Sequence, residues 1–186
     1  MKNYKTLKIN NILVRKFKIN DAEQFYLNVT RHQELFIFLP YKHHSSVDVT
    51  KAYLKEYVNQ YKKETFDCTF ALEDFSTKSI IGYLECYEKA FEVAGQVYLR
   101  IVLDKQYWNK GISTNLISVF SRYLIEKQGV NRVGLVFDKA HKIMSIVAKK
   151  AKFTPEGILR DCGYNNTNKI CDCLIYSFIR KDLLSN

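Results

Sequence analysis

The chain has 186 residues, and 29 Lys plus Arg against 19 Asp plus Glu leave a net charge of +10. Apolar residues make up 47%, enough for one sizeable core without staples, which excludes a disordered chain. Seven Gly, two Pro and no low-complexity tract exclude collagen-like, linker-rich and repeat-array chains, and the longest apolar run, Leu35-Phe36-Ile37-Phe38-Leu39, is far short of the roughly 20 residues that cross a bilayer.

Leu7 to Phe17 reads as an opening strand or hairpin arm. Asn20 followed by Glu23 resembles a capping box, which predicts a helix from Asp21 towards Thr30. A short helix through Leu35 to Leu39 should stop before Pro40. Ser45 and Asp48 repeat the cap pattern ahead of Ala52, Tyr53, Tyr57, Val58 and Tyr61, which predict a helix to about Lys63. From Thr65 the period changes to two: Phe66, Cys68 and Phe70 alternate with polar residues, and strands over Lys78 to Tyr87 and Val93 to Leu103 come next. Helical spacing returns with Ile112, Leu116, Phe120 and Leu124 and ends at Gly129. A short buried strand over Arg132 to Phe137 precedes a helix over Lys139 to Ala151 that should bury Ile143 and Val147. Two strands, Phe153 to Arg160 and Lys169 to Ile179, close the chain. The order predicts one mixed α/β domain over residues 1–186, with helices on both faces of a mostly antiparallel sheet of about seven strands.

The amino terminus is basic but has no apolar stretch or cleavage site of a secretory signal, so the expected compartment is the cytoplasm, with no membrane partner. The five cysteines form no CxxC pair, and reduced, buried thiols are expected. Cys171 and Cys173, two apart in a strand, should face the same way. His32, His43, His44 and His141 show no ligand spacing, so no metal is expected.

Chemistry concentrates in Val97 to Thr114, where a strand runs through a short loop into the helix that begins at Gly111. The first turn of a helix leaves amide N–H groups without intrahelical partners, and the helix dipole adds partial positive charge, so such a turn can hold a phosphate. Gly111 permits close approach, Ser113 and Thr114 offer hydroxyls, and Lys110 adds charge. An ordinary capped helix start has the same composition.

Tyr107-Trp108-Asn109-Lys110-Gly111-Ile112-Ser113-Thr114 resembles the pyrophosphate loop of the GNAT N-acetyltransferases, in particular the RimJ/RimL-like branch, whose loop commonly reads Tyr-Trp-Gly-Lys-Gly. The likeness spans nearly the whole chain. Asn11 to Phe17 with Asn20-Asp-Ala22 is similar to that branch's opening strand and first helix, Ile80 to Leu84 to its third strand, and Gly129 to Val133 to the approach to its fifth strand. Asp138 to Phe153, then Thr154 to Arg160, is similar to its Asn-containing helix and the segment after that helix, and Asp172 to Lys181 to its closing strand. The chain departs from the pattern at Asn109 (usually Gly), Ser113 (Ala or Gly), His141 (Asn), Met144 (Ser) and Lys152 (Gly). Arg100 and Ile101 replace a common Gly-Tyr pair, and Tyr98 stands where many relatives have Glu. Asn tolerates left-handed backbone, so the loop should still form.

The resemblance implies transfer of the acetyl group of acetyl-CoA to a primary amine, either a protein N-terminus or a small amine, by direct attack. It implies a V-shaped split in the sheet, with the pantetheine amides pairing to Ile101, Val102 and Leu103 and the pyrophosphate held by Trp108, Asn109, Lys110, Gly111, Ile112, Ser113 and Thr114. Glu85 is the first candidate for the base, Tyr98 the second and a water chain the third. His141 and Ser145 are candidates to protonate the departing thiolate, and His141 also belongs with the coenzyme residues. Lys139, Lys142, Lys149, Lys150 and Lys152 either steer the polyanionic coenzyme or form a solvated face, and Glu85, Glu88 and Glu92 offer local acidity for an amine.

Two rivals remain: a relative that binds coenzyme without catalysis, and a basic nucleic-acid-binding protein. For the second, 13 Tyr and 12 Phe on a basic chain match superficially, but the aromatics fall at core spacing and no reading motif is present, so direct nucleic-acid binding is not expected. The acceptor and the oligomeric state, a homodimer included, are left open.

Overall fold

A computed structural model describes residues 4, 6–63, 65–88 and 95–184. Contacts divide the chain into two compact units: Met1–Leu35, His43–Tyr87 and Arg100–Lys110 form the first, and Phe36–Lys42, Glu88–Leu99 and Gly111–Asn186 the second.

In the first unit the opening segment is a hairpin, β1 (Leu7–Ile9) and β2 (Ile12–Lys16), turned at Asn10, whose φ of 52° is a conformation Asn tolerates. β2 pairs antiparallel with β3 (Cys68–Asp74), and β3 with β4 (Ile80–Tyr87). Phe70, Leu72 and Leu84 are fully buried. The capping oxygen of the first helical stretch is on Asp21 rather than Asn20: its Oδ2 accepts the Lys18 amide at 2.7 Å. Asp21 also holds Arg15, which bonds Glu73 at 2.6 Å as well. The chain continues into α1 (Ala22–Phe25) and a π-helical turn over Tyr26–Thr30. The short helix expected at Leu35–Leu39 is a 3-10 turn over Gln33–Phe36. α2 (Val47–Gln60) is capped one residue later than the pattern suggested, with Ser46 Oγ accepting the Val49 amide at 3.2 Å. The first unit ends with the second half of β5 (Gln96–Leu103) and the loop after it. Val93, the expected start of this strand, and Glu92 lie outside the described residues.

The second unit holds the first half of β5, α3 (Ile112–Lys127), β6 (Arg132–Asp138), α4 (Lys142–Lys150), β7 (Thr154–Tyr164) and β8 (Ile170–Ile179). β5 and β6 run parallel over Gln96–Tyr98 and Arg132–Gly134, while β8 pairs antiparallel with β6 and with β7. Among the described residues the strand order is β1-β2-β3-β4-β5-β6-β8-β7, eight strands rather than seven because the opening segment folds back on itself.

α4 corrects the sequence reading. It begins at Lys142, because Asp138 first builds a turn: its Oδ1 accepts the Ala140 amide at 2.7 Å and its carbonyl the His141 amide at 2.8 Å. Ile143 is 59% exposed, Val147 is half-buried, and Ala148 is the helix's one buried residue. The thiols also differ from expectation. Cys68, Cys86 and Cys173 are buried, but Cys171 is half-buried and Cys162 is exposed, on the bulged stretch of β7 between Leu159 and Gly163. Cys171 and Cys173 do share a face, since both sulfurs lie near the missing side chain of Gly163.

Candidate active site

The strand-loop-helix segment forms as its sequence predicts. After β5, Asp104 Oδ1 accepts the Gln106 amide at 3.0 Å and starts a 3-10 turn over Lys105–Tyr107. Asn109 and Gly111 take left-handed backbone, with φ of 58° and 72°. Such residues turn successive amides towards one concavity, the arrangement that binds anions. Gly111 is the N-cap of α3 and, lacking a side chain, leaves the first turn open. Ile112, Ser113 and Thr114 occupy that turn and are half-exposed. The dipole of this 16-residue helix adds partial positive charge at the same place.

The loop is tied to its surroundings along its length: the Asp104 amide donates to the Ile81 carbonyl at 2.8 Å and the Lys105 ammonium pairs with Glu34 at 2.7 Å. The Trp108 indole N–H donates to the Leu103 carbonyl at 2.8 Å, and the Tyr107 hydroxyl donates to Asp74 Oδ2 at 3.1 Å. Lys110 extends its ammonium over the Tyr107 ring at 5.4 Å. Upstream of the loop, Val102 and Leu103 are buried and Ile101 is half-exposed. The sequence singled out Trp108 as a coenzyme residue but held no sign of Asp74, which lies 33 positions away from Tyr107.

The candidate acid-base residues fall into different settings. Glu85, half-exposed on β4, accepts from Arg100 Nη1 at 2.5 Å, and the Arg100 guanidinium also stacks over Tyr87 at 4.9 Å. Tyr98 is buried to 3% exposure, with its ring against Gly134 and its hydroxyl within bonding reach of Arg132. Arg132 in turn is bonded to Glu156, whose carboxylate is held below the ordinary range first by that arginine.

His141 is the N-cap of α4, its Nδ1 accepting the Met144 amide at 3.4 Å, and its ring stacks on Phe38 with centroids 4.4 Å apart. Burial lowers its pKa against the opposing charge of Asp138, so the neutral imidazole dominates, with its proton on Nε2. Ser145 is half-exposed on α4, and Lys142, Lys149, Lys150 and Lys152 are exposed, whereas Lys139 pairs with Asp172 at 3.2 Å. Among the described residues, no group of three or more His, Cys, Asp and Glu is arranged to hold a metal, and no helix is long and apolar enough to cross a membrane.

The model of the acetyltransferase (GNAT) domain family matches residues 11–154, and the chain belongs to that family. A solved ribosomal-protein-S5-alanine acetyltransferase from Vibrio fischeri superposes with a TM-score of 0.80 at 21% identity, covering 96% of this chain and 98% of that one. The ribosomal L7/L12 α-N-protein acetyltransferase RimL, solved with coenzyme A, gives 0.83 at 14% identity over 94% and 98%. The microcin C7 self-immunity acetyltransferase MccE, solved with acetyl-CoA and AMP, gives 0.79 at 20% identity over 91% and 93%. At these identities the likeness is one of fold. A search of curated proteins by sequence finds no match.

Proposed function

We propose that the protein is an acetyl-CoA-dependent N-acetyltransferase that acts on a primary amine in a ternary complex. The observation that carries this reading is the open first turn of α3, preceded by left-handed Asn109 and Gly111 in a member of the GNAT family. The amides of Gly111 to Thr114 hold the pyrophosphate, with Lys110 and Lys150 adding charge, and Ile101 to Leu103 offer backbone groups to the pantetheine. A backbone N–H there, bonded to the thioester oxygen, stabilises the tetrahedral intermediate by roughly 2.7–4 kcal/mol, as comparable donors do. The amine nitrogen attacks the carbonyl carbon and its proton passes to Glu85, which returns it to solvent; collapse breaks the C–S bond and expels the thiolate, which accepts a hydrogen bond from His141 Nε2–H or the Ser145 hydroxyl and takes its proton from solvent. The acceptor we favour is a protein amino terminus, because one superposing enzyme is named as an α-N-protein acetyltransferase and another as a ribosomal-protein-S5-alanine acetyltransferase. We take residues 1–186 as one catalytic domain, since the family match runs through segments of both units.

The Arg100 bond to Glu85 favours a second reading, a relative that binds coenzyme without transferring the acetyl group, because that bond occupies the proposed base. Calorimetric titration with acetyl-CoA, CoA and desulfo-CoA, then mass spectrometry against peptide and polyamine acceptors, tests both. Saturable binding with an acetylated product supports the enzyme, binding without product supports the second reading, and no binding overturns both. In an active enzyme Glu85→Gln lowers turnover by about a hundredfold or more if Glu85 is the base.

A further inference from the structure

We infer that Asp74 is a positioning residue for the coenzyme loop, acting through the hydroxyl of Tyr107; this rests on the proposed binding of coenzyme at that loop. Asp74 ends β3, and it is 8% exposed. Its Oδ1 accepts from Asn11 Nδ2 at 3.0 Å and from the Ser76 and Thr77 amides at 2.8 and 3.2 Å, which fixes the carboxylate in its own turn. The other oxygen, Oδ2, receives the Tyr107 hydroxyl. A rigid carboxylate on the β3–β4 turn therefore restrains the residue next to Trp108, and with it the approach to Asn109 and Gly111. The tie from Trp108 to Leu103 stays within the loop's own strand; the Asp104 and Lys105 ties hold the start of the loop, and the bond to Asp74 holds the residue next to Trp108.

The carboxylate is suited to this task. Burial by itself raises its pKa, but the Thr77 and Ser76 amides and then the Tyr107 hydroxyl reverse that and hold the group below the usual carboxylate range. Asp74 is thus ionised at neutral pH, and a hydroxyl bonded to an ionised carboxylate is stronger than a neutral pair. A loop ordered before binding keeps its anion-facing amides together and spares the coenzyme the cost of ordering them.

Tyr107→Phe deletes the loop's half of the bond, together with the contact of the same hydroxyl to the Thr77 side chain, and leaves the Asp74 carboxylate in its turn, whereas Asp74→Asn keeps the shape of that turn but not its charge. Each variant should weaken CoA binding about tenfold, the scale of one charge-assisted hydrogen bond, and raise KM for acetyl-CoA with kcat unchanged. The double variant should lose little more than Tyr107→Phe alone, because that change already removes the bond to Asp74. Trp108 is the chain's one tryptophan, so its fluorescence reports the loop without any ligand, and in both variants it should become more accessible to acrylamide quenching. Wild-type protein that binds CoA together with variants that bind as tightly would overturn the inference. So would additive losses or unchanged quenching. If the wild-type protein does not bind CoA, the coenzyme reading fails, while the quenching comparison still decides whether Asp74 restrains the loop.

Discussion

The ring of Tyr98 occupies the space that a side chain on Gly134 would need: a β-carbon built there falls 2.5 Å from Tyr98 Cε1 and 2.6 Å from Cδ1. The two residues face each other in the parallel register of β5 and β6, so the ring fills the space beside its neighbour's Cα. Gly134→Ala should destabilise the fold by roughly 1–3 kcal/mol, since a packed ring cannot yield without moving others. Thermal unfolding checks this. Tyr98→Val in the same chain should recover part of the loss, whereas Tyr98→Phe, which keeps the ring, should recover none.

Local period made the helices and central strands legible. Leu116, Phe120 and Leu124 recur every fourth residue and are all buried, and Asn109 adopts the left-handed backbone its side chain tolerates. What the sequence did not show are partnerships decided by register. Arg100 meets Glu85 from 15 positions away, and Phe38 meets His141 across most of the chain. Neither pair leaves a trace in periodicity. The outward turn of Ile143 is a related failure, since helical spacing identifies an apolar stripe but not whether anything covers it.

Lys152 holds φ at 67° just past α4, where the resemblance expects glycine. The Phe153 amide reaches back to the Ala148 carbonyl at 3.0 Å, and the Lys152 amide to Lys149 at 3.0 Å, so the helix ends in a turn whose left-handed residue is a lysine. Left-handed backbone costs a residue with a β-carbon roughly 1–2 kcal/mol, partly offset by the greater chain entropy glycine loses on folding. Lys152→Gly should therefore stabilise the protein by about 0.5–1 kcal/mol, a rise in Tm of about 1–4 °C for a chain of this size. A lower Tm would mean that the lysine side chain contributes more than its backbone costs.

His141 has two roles to separate, as the cap of α4 and as the proposed donor to the departing thiolate. His141→Ala removes both, along with the stack on Phe38, and should cost about 1 kcal/mol of stability for the lost cap. His141→Asn restores a capping side chain but not an imidazole. If the ring serves the chemistry, the Asn variant regains stability while kcat stays low and KM for acetyl-CoA changes little. If the residue is only a cap, the Asn variant recovers turnover together with stability, which the kinetics of the two variants side by side would show.

His44 makes the stability of the first unit depend on pH. It is 7% exposed, stacked on Tyr53 at 4.5 Å, and its Nδ1 lies 2.8 Å from the hydroxyl of Thr50. That hydroxyl also lies 2.9 Å from the Thr30 hydroxyl and 3.2 Å from the Ser46 carbonyl, so the ring's buried edge meets uncharged partners. Charging the ring would bury a charge, and this burial, with a smaller contribution from His43, lowers the pKa to about 4. The unfolded chain binds this proton near pH 6.5 and the folded chain only near 4. Stability is therefore full above pH 6.5 and falls as the pH drops towards 4, by roughly 3 kcal/mol for this group. Denaturant unfolding at a series of pH values should show that slope in the wild-type protein and a shallower one in His44→Gln. Equal slopes in the two would mean that carboxylates elsewhere account for the acid sensitivity.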